Sequence, residues 1–181
     1  MTIEDIVNNY HYEKLSSKHD LSNFSCGVED LDEFLKEDAL EQQEKNLSVT
    51  YIAIYNNRII GYVSILADKL ECKTIKKKNG IYPYYPAVKI GRLAVDEKYK
   101  GLGLGNDILD TISIIIKKMS KKLGISFITV DAYCTARNFY SKNEFKHTKI
   151  HNPKKLKRTA IRNKTASIHM YKDIRKIQIE K

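Results

Sequence analysis

Several features are scarce in this sequence, and each absence excludes a class of protein. The chain has no tryptophan, three prolines and three cysteines among 181 residues. No apolar run approaches the roughly 20 residues that a membrane-spanning helix needs, so no membrane segment is expected. The N-terminal stretch MTIEDIVNNYHYEKL lacks the basic start and the apolar core of a secretory signal peptide. These absences predict a protein of the cytoplasm.

The cysteines, Cys26, Cys72 and Cys134, are odd in number and lack the spacing of metal ligands. We therefore expect reduced thiols and no metal site. With 42% hydrophobic and 30% charged residues, the composition is that of an ordinary globular protein. The length predicts one domain over residues 1–181.

Acidic residues are scarce near the C-terminus. Residues 142–181 hold 13 lysines and arginines against 3 aspartates and glutamates, whereas residues 1–141 hold 19 of each sign. The whole formal net charge of +10 therefore lies in the last 40 residues. A confined basic region attracts polyanions, including nucleic acid and the phosphates of a cofactor. The alternative is a lysine-rich solvated surface without a ligand.

The most distinctive stretch of the chain is VKIGRLAVDEKYKGLGLGNDILDTISIIIKKM. Its first part, residues 88–95, is rich in β-forming residues and predicts a buried strand. Gly101, Gly103 and Gly105 follow a short polar break, and apolar residues then recur at helical spacing over residues 108–119. The stretch therefore predicts a strand, a glycine-rich turn and a long helix.

Such a junction is suited to phosphate binding. Glycines allow close approach of a ligand, and the first N–H groups of a helix have no partner within it. A Walker A loop is excluded because no Gly-Lys-Ser/Thr ends the turn. A dinucleotide fingerprint fits poorly, since Asn106 stands at its third glycine position and few residues follow Asp131. A tight turn without any ligand remains the simpler alternative.

Periodicity and turn signals predict the other elements. The predicted strands are 11–15, 48–55, 58–66, 126–131, 145–150 and 165–172, the predicted helices are 28–44 and 135–142, and the predicted loops are 20–27, 68–80, 81–86 and 151–164. Asn56-Asn57 marks a hairpin turn, and Gly61 is a candidate bulge. The order predicts an α/β (mixed α+β) fold, with a single central mixed sheet of about six to seven strands flanked by helices.

The glycine turn resembles the acetyl-CoA site of the GNAT N-acetyltransferase superfamily. The family pattern is Arg/Gln-x-x-Gly-x-Gly/Ala, and KYKGLG at residues 98–103 is similar to it, with Lys98 in the first place. GRLAVD at residues 91–96 also resembles the family's central strand, and the element order matches the family from about residue 12 to residue 172. The resemblance implies acetyl-CoA as co-substrate. The implied pantetheine contacts are Leu93, Ala94 and Val95, and the implied pyrophosphate cradle is Lys98, Lys100, Gly101, Leu102, Gly103, Leu104, Gly105 and Asn106.

A second segment carries the implied catalytic residue. ARNFYSKNEF at residues 136–145 resembles the family's Ala-Arg-x-Phe-Tyr-x-Lys-x-Gly-Phe, with Glu144 where glycine is usual. The resemblance implies that Tyr140 is the general acid that protonates the departing CoA thiolate, which a phenol of pKa about 10 can do. An aromatic packed on a short helix is the structural alternative. We expect direct attack by the amine rather than an acyl relay through Cys134.

Residues 24–35 (FSCGVEDLDEFL) and GRLAVD resemble the branch of GNAT toxins that acetylate aminoacyl-tRNA. In that branch the acceptor is the α-amine of the amino acid on tRNA. Its pKa of about 7.7–8.0 leaves it partly neutral at neutral pH, so a general base is not essential; Asp96, Glu97, Asp131 and His147 are candidates by position alone.

The resemblance further implies binding of tRNA through the basic C-terminal region, a small ribbon-helix-helix antitoxin and a homodimer. Two other functions remain open. One is acetylation of proteins or of small amines such as polyamines and amino acids. The other is a non-catalytic nucleic-acid-binding domain that keeps the fold.

Overall fold

The structure is a computed structural model that describes residues 3–71, 83–148 and 166–178. Cys72 and the basic loop predicted at 151–164 lie outside the described residues. So do residues 72–82 of the two preceding loops and the ends of two predicted strands, at residues 149–150 and 165.

The described chain forms helices and strands in alternation. The helices are α1 (Ile3–Asn9), α2 (Glu29–Glu33), α3 (Ala39–Glu44), α4 (Leu104–Met119) and α5 (Arg137–Lys142). The strands are β1 (His11–Lys14), β2 (Val49–Tyr55), β3 (Arg58–Glu71), β4 (Tyr84–Val95), β5 (Phe127–Tyr133), β6 (Lys146–His147) and β7 (Ser167–Asp173). A π-helical turn (Phe34–Asp38) joins α2 to α3, and 3-10 turns occupy Glu97–Tyr99 and Ile174–Lys176.

The strands form one seven-stranded sheet in the order β1-β2-β3-β4-β5-β7-β6. The pairs β1–β2, β2–β3, β5–β7 and β6–β7 are antiparallel. The predicted fold class, a mixed α/β protein with a single sheet of six to seven strands and flanking helices, is confirmed. No helix within residues 3–71, 83–148 and 166–178 has the length and apolar character needed to cross a membrane.

Contacts divide the chain into two compact units. The first contains residues 1–66 and 90–112, and the second contains residues 67–89 and 113–181. The single domain over residues 1–181 stays a prediction.

In the first unit, the predicted hairpin forms between β2 and β3. Asn56 and Asn57 both have positive φ, at 49° and 58°, which is the requirement of the tight turn that matches strand twist. The β2–β3 register shifts between Ala53 and Ile54, next to Gly61, so a bulge lies where the interrupted pattern predicted one. A Cβ at Gly61 would lie 2.5 Å from Ile108 Cδ1 and 3.1 Å from the Ala94 carbonyl oxygen.

The helix predicted over residues 28–44 is present, but a π-helical turn at Phe34–Asp38 interrupts it. The Phe34 ring stacks on Tyr62 at 6.1 Å between centroids, and the Tyr62 hydroxyl donates to the Leu31 carbonyl at 2.7 Å. The extra residue of a π turn rotates the following helical face by about 100°. The buried pair Phe34 and Leu35 is therefore followed by Ala39 and Leu40 at a spacing of five, which a helical period of 3.6 does not predict.

In the second unit, the predicted loops at 68–80 and 81–86 are partly wrong. Strand β3 continues to Glu71 and β4 begins at Tyr84. The polar residues of this part have partners: Asp68 accepts a hydrogen bond from Thr129, and the Lys69 ammonium lies 4.4 Å from the centre of the Tyr84 ring. Polarity and prolines predicted a loop here because the sequence does not show these partners.

Gly61→Ala is expected to lower the free energy of unfolding by about 1–3 kcal/mol, because the added Cβ overpacks a closed contact. Gly124→Ala is the matched control, since a Cβ there meets nothing within 4 Å. Urea unfolding measures both. Equal stability of the two variants would contradict the close approach at Gly61.

Candidate functional site: a glycine turn and a buried tyrosine

The turn before the glycines is fixed by one carboxylate in the first unit. Asp96 is buried, with 6% exposure, and accepts hydrogen bonds from the backbone N–H of Lys98 at 3.0 Å and of Ser25 at 3.3 Å. It therefore caps the 3-10 turn Glu97–Tyr99. These bonds assign Asp96 a structural role, although its position made it a candidate base.

Gly101 and Gly103 are required by backbone conformation, with φ of 78° and 89°. A Cβ on either one would meet nothing within 4 Å, so packing does not demand glycine there. The Gly103 carbonyl accepts from the N–H groups of Asn106 at 2.9 Å and Asp107 at 3.4 Å and so closes the first turn of α4. The surface above both glycines is open to a ligand.

Helix α4 begins at Leu104, whose side chain is 1% exposed and anchors the turn in the core. The first N–H groups of a helix, here those of Leu104 and Gly105, have no acceptor within it. Leu102 is half-buried. The open glycines and the helix N-terminus together fit a pyrophosphate group.

The two predicted cations differ in their surroundings. Lys98 is exposed beside the turn. The Lys100 ammonium donates to the Cys26 carbonyl at 2.5 Å. Lys100 therefore ties residues 24–32 to the glycine turn in this structure.

The end of β4 presents alternate side chains to its two faces. Leu93 and Val95 are half-buried. Ala94, between them, is 4% exposed and packs in the core cluster that contains Phe34 and Tyr62.

Residues 24–35, the segment that resembles the toxin branch, are hydrogen-bonded to the 3-10 turn Glu97–Tyr99. The Ser25 carbonyl accepts from the Glu97 N–H at 2.9 Å, and Asp32 Oδ1 accepts from the Cys26 N–H at 2.7 Å. Gly27 has a φ of 70°, and a Cβ there would collide with the Glu97 carboxylate. The sequence does not predict this contact. The one signal for it in the sequence is the Cys26-Gly27 pair within a polar turn.

Tyr140 lies in the second unit on the short helix α5 and is 6% exposed. Its ring makes edge-to-face contacts with Phe139 at 5.0 Å and Phe145 at 5.4 Å. Burial raises the pKa of Tyr140 above its ordinary value, so the phenol keeps its proton at neutral pH.

The other candidate bases in the second unit have partners of their own. Asp131 accepts from the Lys89 ammonium at 2.5 Å and lies 2.7 Å from His169 Nδ1. Burial opposes the charge of Asp131, but the bonds to Lys89 and His169 prevail and lower its pKa. His147 Nε2 accepts from the Arg137 Nε–H at 3.1 Å.

The two described cysteines are free thiols, Cys26 buried and Cys134 half-buried. Burial raises the pKa of the Cys26 thiol to about 11, which makes that thiol a weak nucleophile at neutral pH.

Glu144 departs from the family motif, and the structure shows the consequence for the backbone. Glu144 follows the C-cap of α5 with a φ of 67°, a left-handed conformation that favours glycine. This explains why the family motif usually has glycine there. The mismatch in the motif was the sequence signal for a strained position.

A central strand, a glycine turn with positive φ and a long helix, beside a single mixed sheet, form the arrangement that acetyl-CoA-dependent N-acetyltransferases use to bind their co-substrate. A family model described as "Acetyltransferase (GNAT) domain" matches residues 7–158. The chain therefore belongs to the GNAT acetyltransferases, enzymes that move an acetyl group from acetyl-CoA to a primary amine.

Two curated relatives are toxins. The chain is 28% identical to a tRNA-acetylating toxin of Mycobacterium tuberculosis over 137 residues, covering 73% of this chain and 81% of the relative. It is 23% identical to a probable toxin TacT of Sinorhizobium fredii over 121 residues, covering 64% of this chain and 67% of the relative.

Solved structures show the same fold. A tyrosine-to-phenylalanine mutant of KacT superposes with a TM-score of 0.80 at 23% identity, covering 93% of this chain and 97% of KacT. AtaT complexed with acetyl-methionyl-tRNAfMet gives a TM-score of 0.79 at 22% identity, with coverage of 93% and 97%.

We expect the loss of stability on substitution of Gly103 to depend on how well the new residue tolerates positive φ. Because the Cβ meets nothing, Gly103→Ala should lower the free energy of unfolding by about 1–2 kcal/mol through φ alone. Gly103→Asn should lower it less, since asparagine tolerates positive φ. Urea unfolding measures both, and equal losses for the two variants would contradict a purely conformational requirement.

Proposed function

We propose that this acetyltransferase acetylates the α-amine of the amino acid carried by tRNA and acts as a toxin. The observation that supports aminoacyl-tRNA as the acceptor is the 28% identity with a tRNA-acetylating toxin across 73% of the chain. The hydrogen bonds that join Ser25 and Cys26 to residues 96–100 support it, because they make the segment resembling that branch part of the turn assigned to the acetyl donor.

Acetyl-CoA supplies an activated thioester. We assign the backbone groups of Leu93, Ala94 and Val95 to its pantetheine arm. The residues assigned to its pyrophosphate are Lys98, Lys100, Gly101, Leu102, Gly103, Leu104, Gly105 and Asn106. The positive φ and open surface at Gly101 and Gly103 support this assignment.

Tyr140 holds the proton for the departing thiolate. Burial disfavours the phenolate and a buried thiolate alike, so a raised phenol pKa is compatible with this transfer. An α-amine with a pKa of about 7.7–8.0 is partly neutral at neutral pH, and positioning then supplies much of the rate. The structural partners of Asp96, Asp131 and His147 support a reaction without a dedicated base.

The partners proposed with this function are aminoacyl-tRNA, held through the basic C-terminal region, a ribbon-helix-helix antitoxin and a second copy of the chain. Relatives of this fold have been solved with the C-terminus of the antitoxin AtaR and acetyl-CoA, and AtaT with acetyl-methionyl-tRNAfMet. The cytoplasm is the proposed location, because acetyl-CoA and charged tRNA meet there.

Tyr140→Phe is expected to lower kcat by about 10²-fold, the lower range for loss of a general acid, with little change in acetyl-CoA affinity. Labelled acetyl-CoA is mixed with total tRNA, either aminoacylated or stripped. The expected result is label on charged tRNA alone, lost in the variant. Tyr55→Phe, which removes a half-buried phenol of the first unit, is the control.

Other outcomes separate the alternatives. An unaltered kcat in Tyr140→Phe removes Tyr140 from the mechanism. Absence of label on tRNA, with acetyl-CoA still raising the melting temperature, points to protein or small-amine acceptors. Absence of acetyl-CoA binding would leave the non-catalytic nucleic-acid-binding function.

The pH profile provides an independent check. Initial rates should rise as the α-amine loses its proton, with a midpoint at about pH 7.7–8.0, and then remain level to about pH 10. A general acid is active below its pKa, and burial raises that of Tyr140, so no descending limb is expected in this range. A fall in rate centred near pH 9 would contradict the assignment.

A further inference from the structure

A cavity of about 170 Å³ opens in the second unit beside the β5-β7-β6 part of the sheet. Its lining combines cationic and aromatic side chains, namely Lys146, Lys172, Arg175, Lys176, Phe127 and Tyr171. Glu144 and Asp173 complete the lining. Of all these residues only Glu144 belongs to the motif around Tyr140, and none belongs to the glycine turn.

The charges of this cavity are incompletely neutralised. Arg175 Nε donates to Asp173 Oδ1 at 2.8 Å, so that carboxylate is occupied. Among the described residues, no carboxylate lies within ion-pair distance of Lys146 or Lys176. The cavity therefore carries a net positive charge with two cations available to a ligand.

Lys172 is the most buried of the four cations, with 7% exposure. Its ammonium lies 3.5 Å from Glu144 Oε2, and the Glu144 side chain is 68% exposed. An exposed carboxylate at this distance is a weak partner that a stronger anion can replace. Lys172 thus provides a buried positive charge at the cavity wall.

Glu144 lies beside Lys172 although its backbone conformation is unfavourable for any residue but glycine. Its φ of 67° is left-handed, where a non-glycine residue is strained. Packing gives no reason for a side chain at this exposed position. Its contact with Lys172 does, because the carboxylate balances a buried positive charge.

The aromatic wall is held in place by its neighbours. Phe127 makes edge-to-face contacts with Tyr85 at 5.6 Å and with Tyr171 at 5.7 Å. Tyr171 pairs in register with Lys146 on β6. A ring and an ammonium that has no ion pair within the described part of the chain therefore lie side by side on neighbouring strands. Basic residues alternating with fixed rings are the usual surface for single-stranded nucleic acid.

We infer that this cavity binds one nucleotide of a single-stranded RNA segment. Its phosphate displaces Glu144 from Lys172, its base lies against Tyr171, and the two flanking phosphates lie near Lys146 and Lys176. A dry cavity of about 150 Å³ already admits benzene, so a single aromatic ring fits the observed volume. The inference deepens the proposed function, because it gives the RNA substrate a subsite, but it does not depend on catalysis.

The test measures binding of an RNA of about six nucleotides, a typical single-strand site size, by fluorescence anisotropy at several salt concentrations. The double variant Lys146→Ala/Lys176→Ala should bind about tenfold more weakly. Its slope of log affinity against log salt should fall by about 1.4, since each single-strand phosphate contact contributes about 0.7. Lys121→Ala/Lys122→Ala removes the same charge from exposed lysines of the same unit and should change neither quantity.

Two further variants should change RNA affinity in opposite directions. Glu144→Gln should bind RNA about threefold more tightly, because it removes the competing anion. Tyr171→Leu should weaken binding about tenfold without altering the salt slope, because it removes a stacking surface and no charge. Melting temperatures verify that each variant is folded.

Any of three RNA-binding results would overturn the inference: no RNA binding by the wild-type protein, equal losses in both lysine pairs, or weaker binding by Glu144→Gln. Displacement of the RNA by CoA, with a raised KM for acetyl-CoA in the Lys146/Lys176 variant, would assign the cavity to the donor's nucleotide and also overturn it. Wild-type RNA binding without acetylation of charged tRNA would reject the proposed function and leave this subsite standing.

Discussion

The glycine turn of the first unit depends on hydrogen bonds between residues 25–26 and residues 96–100, two short segments distant in sequence. Ser25 donates to the Asp96 carboxylate and accepts from the Glu97 N–H, while Asp32 holds the next residue, Cys26. These bonds fix where β4 ends and therefore where the glycine turn begins. Open glycines become a binding surface only when their flanks are held, because flexible glycines otherwise lose entropy on binding.

The parts of the fold that the sequence predicts well are those with local causes. Helical spacing predicts α4, and Asn56-Asn57 predicts the hairpin because asparagine tolerates the positive φ that the turn requires. The sequence predicts a loop at the end of β3, because the residues that stabilise this strand end are not its sequence neighbours. Asp68 contacts Thr129, and Lys69 contacts Tyr84. Long-range partners of this kind override local polarity.

The same distinction holds for the candidate site. Glycine spacing identifies the turn, since the need for positive φ is local. The burial of Tyr140 and the occupation of Asp96 and Asp131 by structural partners depend on tertiary contacts, so no pattern reveals them. Glu144 is intermediate: the motif shows that glycine is missing, and only the structure shows the contact with Lys172.

Charge gives the two units different surfaces. The exposed side of α2 in the first unit carries Glu29, Asp30 and Glu33, which repels a phosphate backbone and attracts an α-ammonium group. The cavity of the second unit has the opposite sign and fixed aromatic rings. A protein or a polyamine offers no repeated phosphates to the basic cavity, whereas RNA does, which is why binding of RNA at this cavity would support the proposed RNA acceptor over the other amines.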